Sequence, residues 1–308
     1  MSTNTTVDWD NLNDDDLATA LAVHAGHLLV SMRADLISQG TSMWNLRDSG
    51  DMGAHHFLLD MISRVRPDDA VLSEEGADSK HRLSAERVWI IDPLDGTTEY
   101  GEDRQDWAVH IALWSLDHFV TAAVSLPAVD KVFSTTPPSV LPPRKSSKPR
   151  LVTSRSRAPY SAIIVAQELD CDAFRLGSAG AKAMSVVMGD TDIYLHDGGM
   201  HQWDSAAPAA VAMAAGLHAS RLDGSPLVYN KSDTWLPDFL ICRNEFKEPV
   251  LDALWGDKWR DKYLPAGLVI ADSWHLAWTK CVAIKINGGI HCTIRRFTLA
   301  RIHINKCA

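Results

Sequence analysis

Residues 87–98 read RVWIIDPLDGTT, a β-type apolar run that ends in two carboxylates, Asp92 and Asp95, three positions apart. The intervening Pro93 predicts a sharp turn, which would let a carboxylate face a metal ion. The carbonyl of Leu94 offers a further oxygen of the kind that hard divalent cations prefer. This stretch therefore predicts a metal site where a buried strand ends.

Gly96 and Thr97 follow directly and place free backbone N–H groups at the start of a turn or helix. Phosphate oxygens bind favourably at such positions, so a phosphate site is expected beside the metal site. The plain alternative is that Asp-Gly is a common turn pair.

Two further acidic segments flank this stretch: Glu74 and Glu75 in LSEEG, and Asp204 in WDSAA, where a helix opens. Taken singly, the glutamates fit an exposed loop, and Asp204 fits a helix N-cap. A Mg²⁺ site, however, needs convergent carboxylates from different segments, and all three occur at element boundaries. Two ions about 4 Å apart could activate a water and stabilise the departing oxygen of an in-line displacement.

Composition limits the class of protein. A chain of 308 residues with 46% hydrophobic and 22% charged residues predicts about two ordinary globular domains. The net charge of −9 argues against a nucleic-acid polymer as partner. Five cysteines without a C-x-x-C pair favour a reducing cytoplasm. The polar, acidic amino terminus does not resemble a secretory signal, and no membrane span of about 18 apolar residues is expected.

Periodicity predicts helices and strands along most of the chain. In the first half we expect a helix over 14–37, a loop over 45–53, a helix over 54–65, strands at 70–73 and 87–92, and a hairpin turning at 116–118. The proline-rich segment 136–150 predicts a boundary, after which strands and helices alternate as in an α/β unit, ending with a helix near 246–258.

Three regions follow from these patterns. We expect an α+β domain with the metal-binding motifs at 1–140, an α/β domain completing the metal and substrate site at 150–258, and an atypical basic C-terminal extension at 261–308. The extension holds 7 basic and 2 acidic residues. It fits either a basic interaction arm or an added segment without a catalytic part.

The motifs resemble the inositol monophosphatase superfamily, the lithium-sensitive, magnesium-dependent phosphomonoesterases. The resemblance covers roughly residues 14–258 and rests on LSEEG, WIIDPLDGTTEY, DWAVHIALW, GSAGAKAMSVVMGDTDIYLH, HQWDSAAPAAVAMAAG and RLDGSPLVYN. Within the superfamily these motifs are most similar to those of the actinobacterial CysQ type, the 3′-phosphoadenosine 5′-phosphate phosphatases. The resemblance implies a layered α-β-α-β-α sandwich of the α+β class, with the site at the seam between its halves.

The resemblance also implies roles for individual residues. The ligands of two or three Mg²⁺ ions would be Glu74, Glu75, Asp92, Leu94, Asp95 and Asp204. Catalytic roles fall to Glu74 and to Thr97 with Asp51, which would orient and help deprotonate the attacking water. The phosphate and substrate contacts would be Gly96, Thr97, Gly177, Ser178, Ala179, Lys182, Asp197 and His201.

The substrate contacts carry open alternatives. Lys182 also fits a solvated lysine at a helix start, and His201 also fits a packed loop histidine. Asp197 stands where the inositol enzymes have a longer acidic residue, which leaves the sugar contact open.

The expected activity is hydrolysis of 3′-phosphoadenosine 5′-phosphate to AMP and phosphate, in sulfur assimilation. Inositol-1-monophosphatase or fructose-1,6-bisphosphatase activity is the alternative within the class. An inactive phosphometabolite-binding homologue is the alternative outside it. The expected partner is a phosphorylated small molecule, with a homodimer as a further option.

Overall fold

The computed structural model describes residues 7–256 and three short strands beyond them. The first half contains α1 (Asp14–Ser38), α2 (Met43–Val65), β1 (Ala70–Ser73), β2 (Arg87–Asp95), α3 (Thr97–Gly101), β3 (Ala108–Ser115), β4 (His118–Leu126) and β5 (Lys131–Ser134). The second half contains β6 (Arg150–Ser154), α4 (Tyr160–Glu168), β7 (Asp172–Leu176), α5 (Ala179–Val187), β8 (Ile193–His201), α6 (Gln202–Ala214), β9 (His218–Ser220), β10 (Trp235–Cys242) and α7 (Lys247–Trp255). The last strands, β11 (Leu268–Ile270), β12 (Cys281–Ile286) and β13 (Gly289–Ile294), form an antiparallel sheet of their own.

The first sheet has the strand order β1-β2-β3-β4-β5, and its central strands β2 and β3 are buried on both faces. Because successive side chains of a strand point to opposite faces, β2 supplies two cores at once. Trp89 and Ile91 pack with α1 and α2, whereas Val88 and Ile90 pack with α5 and α6.

The second sheet has the order β7-β6-β8-β10-β9 and lies on the other side of α5 and α6. Tyr194 and Phe239 face these central helices, whereas Leu195 and Leu240 face α4 and α7. Helix α6 contacts strands of both sheets. The layers therefore alternate α-β-α-β-α, which confirms the predicted α+β sandwich.

The long first helix begins as predicted. The side chain of Asn13 accepts the N–H of Asp16 at 2.8 Å and caps α1. Leu17, Leu21 and Leu29 lie on its buried face. By length and composition alone α1 could cross a membrane, a test that the core helix of a soluble protein also passes.

The predicted loop at 45–53 is wrong, because α2 already begins at Met43. Ser42 caps it by accepting the N–H of Asn45. The two glycines that suggested a loop allow close packing instead: a Cβ at Gly50 would lie 2.7 Å from the Tyr100 ring, and one at Gly53 would lie 2.6 Å from Met32.

The predicted sharp turn at Pro93 is also wrong. Strand β2 continues to Asp95, and its register with β3 shifts between Asp92 and Asp95, as in a β-bulge. The chain turns one residue later at Gly96, whose φ of +91° lies in the left-handed region that favours glycine.

No helix or strand occurs between β5 and β6, where the sequence predicts a domain boundary. The helix expected at 246–258 is α7, preceded by a short 3₁₀ turn, Asn244–Phe246. Apart from β11, β12 and β13, the extension predicted at 261–308 lies outside the described residues.

Candidate active site

Three carboxylates from three elements converge at the end of the first sheet. Glu74 follows β1, Asp92 lies in β2, and Asp204 lies in the first turn of α6. One oxygen of each lies within 4.8 Å of the other two. Asp92 is fully buried, Asp204 is half-buried and Glu74 is exposed, so the group opens to solvent on the Glu74 side.

The donor set fits a divalent cation. Asp92 Oδ1 accepts the N–H of Leu94 at 3.2 Å, but Asp92 Oδ2 has no hydrogen-bond donor in the described part of the chain. A buried carboxylate oxygen without a donor is costly. A bound cation would satisfy it, and oxygen ligands are those that Mg²⁺ prefers.

The same crowding raises the proton affinity of the group. Desolvation followed by the charge of Asp204 raises the pKa of Glu74 to about 7. Desolvation and Asp95 raise the pKa of Asp204 to about 6. Burial, and after it the charge of Glu74, raise the pKa of Asp92 well above its ordinary value. These carboxylates need a counter-charge to remain ionised together.

Asp95 adjoins this group and is held by α5. Its Oδ1 accepts the N–H of Ala179 at 3.1 Å, and its Oδ2 accepts the N–H of Gly180 at 2.5 Å. Burial raises the pKa of Asp95, but the ring of His110 and the Gly180 N–H outweigh it, so the net shift is downward. Asp95 is therefore the carboxylate that stays ionised most readily.

Two other expected ligands lie at the edges. Glu75 is exposed beside Glu74 and outside the three-carboxylate group. Leu94 buries its side chain in the core formed with α1 and α2, and its N–H already binds Asp92.

A cleft of about 210 Å³ opens on one side of the carboxylates. Its lining residues are Trp44, Arg47, Asp48, Asp51 and Thr97. Desolvation, followed by the charges of Glu75 and Glu74, raises the pKa of Asp51 to about 8. The two groups expected to orient water, Asp51 and Thr97, thus share one cleft.

The expected phosphate and substrate contacts at 177–179 form the entry to α5. Ser178 caps the helix by accepting the N–H of Ala181 at 3.0 Å. Gly177 lies so close to Glu99 that a Cβ there would be 2.2 Å from it, and a Cβ at Gly96 would lie 2.8 Å from Ser178. The glycines therefore bring the starts of α3 and α5 together.

Lys182 is 4% exposed and lies behind this entry. Its Nζ donates to the carbonyl of Gly177 and lies 5.5 Å from the centre of the Tyr194 ring. Burial lowers its pKa. The structure thus places the Lys182 ammonium against the backbone that it would have to leave to reach a ligand.

Asp197 accepts the N–H of Ser161 at 3.1 Å, in the first turn of α4. His201 lies closer to the carboxylates, because its backbone N–H donates to Asp204 Oδ2 at 2.6 Å. Its ring stacks on Trp203 at 4.6 Å and contacts the edge of Trp235 at 5.6 Å.

Sequence reasoning missed two residues of this region. His110 is fully buried beside Asp92 and Asp95. Asp106 accepts the N–H of Gly177 at 2.6 Å and so holds the entry to α5. The signal for His110 is a polar residue on an otherwise apolar face of a strand.

Comparisons with known proteins agree with this architecture. Residues 18–255 match the inositol monophosphatase family. A 3′-phosphoadenosine 5′-phosphate phosphatase of Mycobacterium bovis is 47% identical over 249 residues, which are 77% of this chain and 91% of that protein. The protein of the same name from Mycobacterium leprae is 45% identical over 263 residues, covering 81% and 96%. The crystal structure of inositol monophosphatase II from Staphylococcus aureus shares the fold, with 22% identity, a TM-score of 0.61 and coverage of 77% of this chain and 96% of that chain. The chain therefore belongs to the inositol monophosphatase family.

Proposed function

We propose that this protein is a Mg²⁺-dependent phosphomonoesterase that hydrolyses 3′-phosphoadenosine 5′-phosphate to AMP and phosphate. The observation that carries the proposal is the convergence of Glu74, Asp92 and Asp204 beside the cleft of Asp51 and Thr97. The names of the mycobacterial relatives support the nucleotide as substrate.

Glu74, Asp92 and Asp204 would hold Mg²⁺, with Asp95, Glu75 and the Leu94 carbonyl as further oxygen donors for a second or third ion. Bound Mg²⁺ would supply positive charge that polarises the phosphoryl group and stabilises the leaving oxygen. The unpaired Asp92 Oδ2 supports a cation at this place.

Asp51 and Thr97 would orient the attacking water from their shared cleft. Asp51 would take up the water proton, a role that requires it to be ionised beforehand. Desolvation, and after it the charges of Glu75 and Glu74, raise the pKa of Asp51 to about 8. A cation that neutralises these glutamates would lower this pKa and so prepare Asp51 as a base.

An in-line displacement puts the leaving group opposite the water, and therefore on the side of the site away from Asp51. Asp204 lies beside His201, whose ring stacks on Trp203 and contacts the edge of Trp235. His201 and Trp235 are paired where β8 meets β10, and Trp203 and Asp204 lie in the first turn of α6. Trp235 is 48% exposed, and Gly199 lies flat against it, where a Cβ would be 1.6 Å from the indole. A half-exposed, held indole suits a planar base better than a sugar alcohol.

The remaining contacts are part of the same proposal. The N–H groups at Gly96 and Thr97 would bind the reacting phosphate. Gly177, Ser178 and Ala179 would border the ribose. Lys182, Asp197 and His201 would reach the substrate only by giving up part of their present hydrogen bonds.

The deciding experiment is phosphate release from three substrates: 3′-phosphoadenosine 5′-phosphate, inositol 1-phosphate and fructose 1,6-bisphosphate. Each is assayed with Mg²⁺, with Mg²⁺ plus Li⁺, and with EDTA. We expect the highest kcat/KM for the nucleotide, inhibition by Li⁺ and no turnover in EDTA. A higher kcat/KM for a sugar phosphate would overturn the substrate assignment. Nucleotide binding without turnover of any substrate would instead support an inactive homologue.

We also propose that the protein is cytoplasmic and that it forms a homodimer. Fractionation of the native cells and light scattering of the purified chain test these two statements separately.

A further inference from the structure

A buried histidine lies within the site, on the strand next to the carboxylates. His110 is in the middle of β3 and is fully buried. It shares its face of the strand with Ala108 and Ala112, which pack into the central core. A polar ring at such a position is costly unless both nitrogens find partners.

The two ring nitrogens contact different elements. Nδ1 lies 3.1 Å from the backbone carbonyl of Trp203, in the first turn of α6. Nε2 lies 3.2 Å from Asp95 Oδ2, within ion-pair distance, but has no hydrogen-bond partner in the described part of the chain. The ring also passes Asp92, with Nδ1 3.8 Å from Asp92 Oδ2. One side chain therefore connects the turn that carries Asp204 with the carboxylate that ends β2.

Gly180 allows the His110 ring to come close to Asp95. A Cβ at Gly180 would lie 2.2 Å from His110 Nε2 and 3.1 Å from Asp95 Oδ2. With glycine there, the first turn of α5 can donate its N–H to Asp95 while the imidazole lies next to the same carboxylate oxygen. Asp95 Oδ2 is thus flanked by the helix N–H and by the imidazole.

We propose that His110 is a positioning residue of the metal site. It fixes the orientation of Asp95 and its distance from the first turn of α6, and so sets the spacing of the carboxylates that would receive the cations. The inference rests on the proposed metal-dependent function, and it predicts that His110 acts on cation affinity without touching substrate.

Three substitutions separate the two contacts. His110→Gln offers an amide near the place of Nε2 and can keep the contact with Asp95. His110→Asn offers one near Nδ1 and can keep the contact with Trp203. His110→Leu removes both at similar volume. His218→Leu is the control, because His218 lies in β9 and binds Ser220 away from the site.

The measurement is Mn²⁺ binding without substrate, followed by electron paramagnetic resonance, with the thermal midpoint in EDTA as the test of folding. We expect His110→Leu to weaken Mn²⁺ binding about 10- to 100-fold, as the loss of a group that orients a ligand does. His110→Gln should recover most of this affinity, His110→Asn less, and His218→Leu should bind like the parent.

Unchanged Mn²⁺ affinity in a folded His110→Leu variant would overturn the inference while leaving the proposed function intact. If that variant fails to fold, equal affinities of the Gln variant and the Asn variant would overturn it. A parent chain that binds no Mn²⁺ would overturn both the inference and the proposed function.

Discussion

Asp92 is a fully buried carboxylate that faces other carboxylates and has one oxygen without a donor in the described region. Without a cation, the folded chain relieves the repulsion by holding protons. Metal affinity is thus obtained at the expense of stability in the metal-free state.

Asp92→Asn separates these two effects. We expect kcat to fall by at least about 100-fold, the upper end of what loss of an outer-shell partner costs, because a direct ligand is altered. In EDTA the variant should unfold at a higher temperature than the parent, because an amide folds without the proton uptake that the buried Asp92 carboxylate requires. Phosphate release and calorimetry measure the two quantities. Unchanged turnover would exclude the metal site described above.

The pH dependence of stability follows from Asp51 and Glu74. Their folded pKa values, about 8 and about 7, lie above the ordinary values of 3.8 and 4.5. Between these limits both groups bind fewer protons in the unfolded chain, so their contribution to the free energy of unfolding falls as pH rises from about 4 to about 8. Relative to a Glu74→Gln variant, the thermal midpoint of the parent in EDTA should therefore decrease over this range, and Mg²⁺ should restore more of it at high pH. A difference between the two midpoints in EDTA that does not change with pH would contradict the argument.

Trp235→Ala tests which side of the site receives the base. Loss of the indole should lower kcat/KM for 3′-phosphoadenosine 5′-phosphate by about 2- to 13-fold, corresponding to the roughly 0.5–1.5 kcal/mol typical of aromatic stacking. It should leave kcat/KM for inositol 1-phosphate unchanged, and Trp235→Phe should retain most of the nucleotide activity. An equal loss for both substrates would place the base elsewhere.

At the residue scale, the sequence located acidic groups because they stand at the ends of strands and helices. Whether each of them binds a cation stays a prediction. Asp95 shows why position alone is insufficient: its hydrogen bonds to α5 depend on packing across the two halves. His110 was missed because the DWAVHIALW pattern indicates a strand but not what that strand faces.

At the element scale, periodicity predicted the helices and strands well where apolar residues repeat along one face. The exception is the start of α2, where Gly50 and Gly53 imitate a loop signal. Their small size is needed for contact with Tyr100 and Met32, side chains distant in the sequence. Local pattern cannot distinguish a glycine that frees the backbone from one that makes room.

Helix α1 provides a contrast to the site. Leu21 is fully buried between α1 and the first sheet. Leu21→Ala should lower the free energy of unfolding by about 2–5 kcal/mol, because it removes buried methyl groups and leaves a cavity. Turnover of the folded variant should match the parent. Urea unfolding and phosphate release test this, and a large loss of kcat would show that α1 influences the site.

At the scale of the whole molecule, every residue assigned to the site lies between Trp44 and Trp235, and the three main cores of the described residues end at Leu254. A chain ending after residue 260 should therefore keep its kcat and thermal midpoint. Light scattering of the same shortened chain tests whether residues 261–308 act as a basic interaction arm. A large drop in kcat would contradict the view that the extension has no catalytic part.

The central position of α6 has a consequence for the lifetime of the protein. This helix packs against both sheets and carries Asp204, whereas Asp92 belongs to the first sheet. A shared cation would act as a non-covalent cross-link between segments far apart in sequence, and at a hundredfold excess over its dissociation constant it would add about 2.7 kcal/mol to stability. Resistance to proteolysis would then follow free magnesium, so that the ion required for turnover would also determine how long each molecule survives.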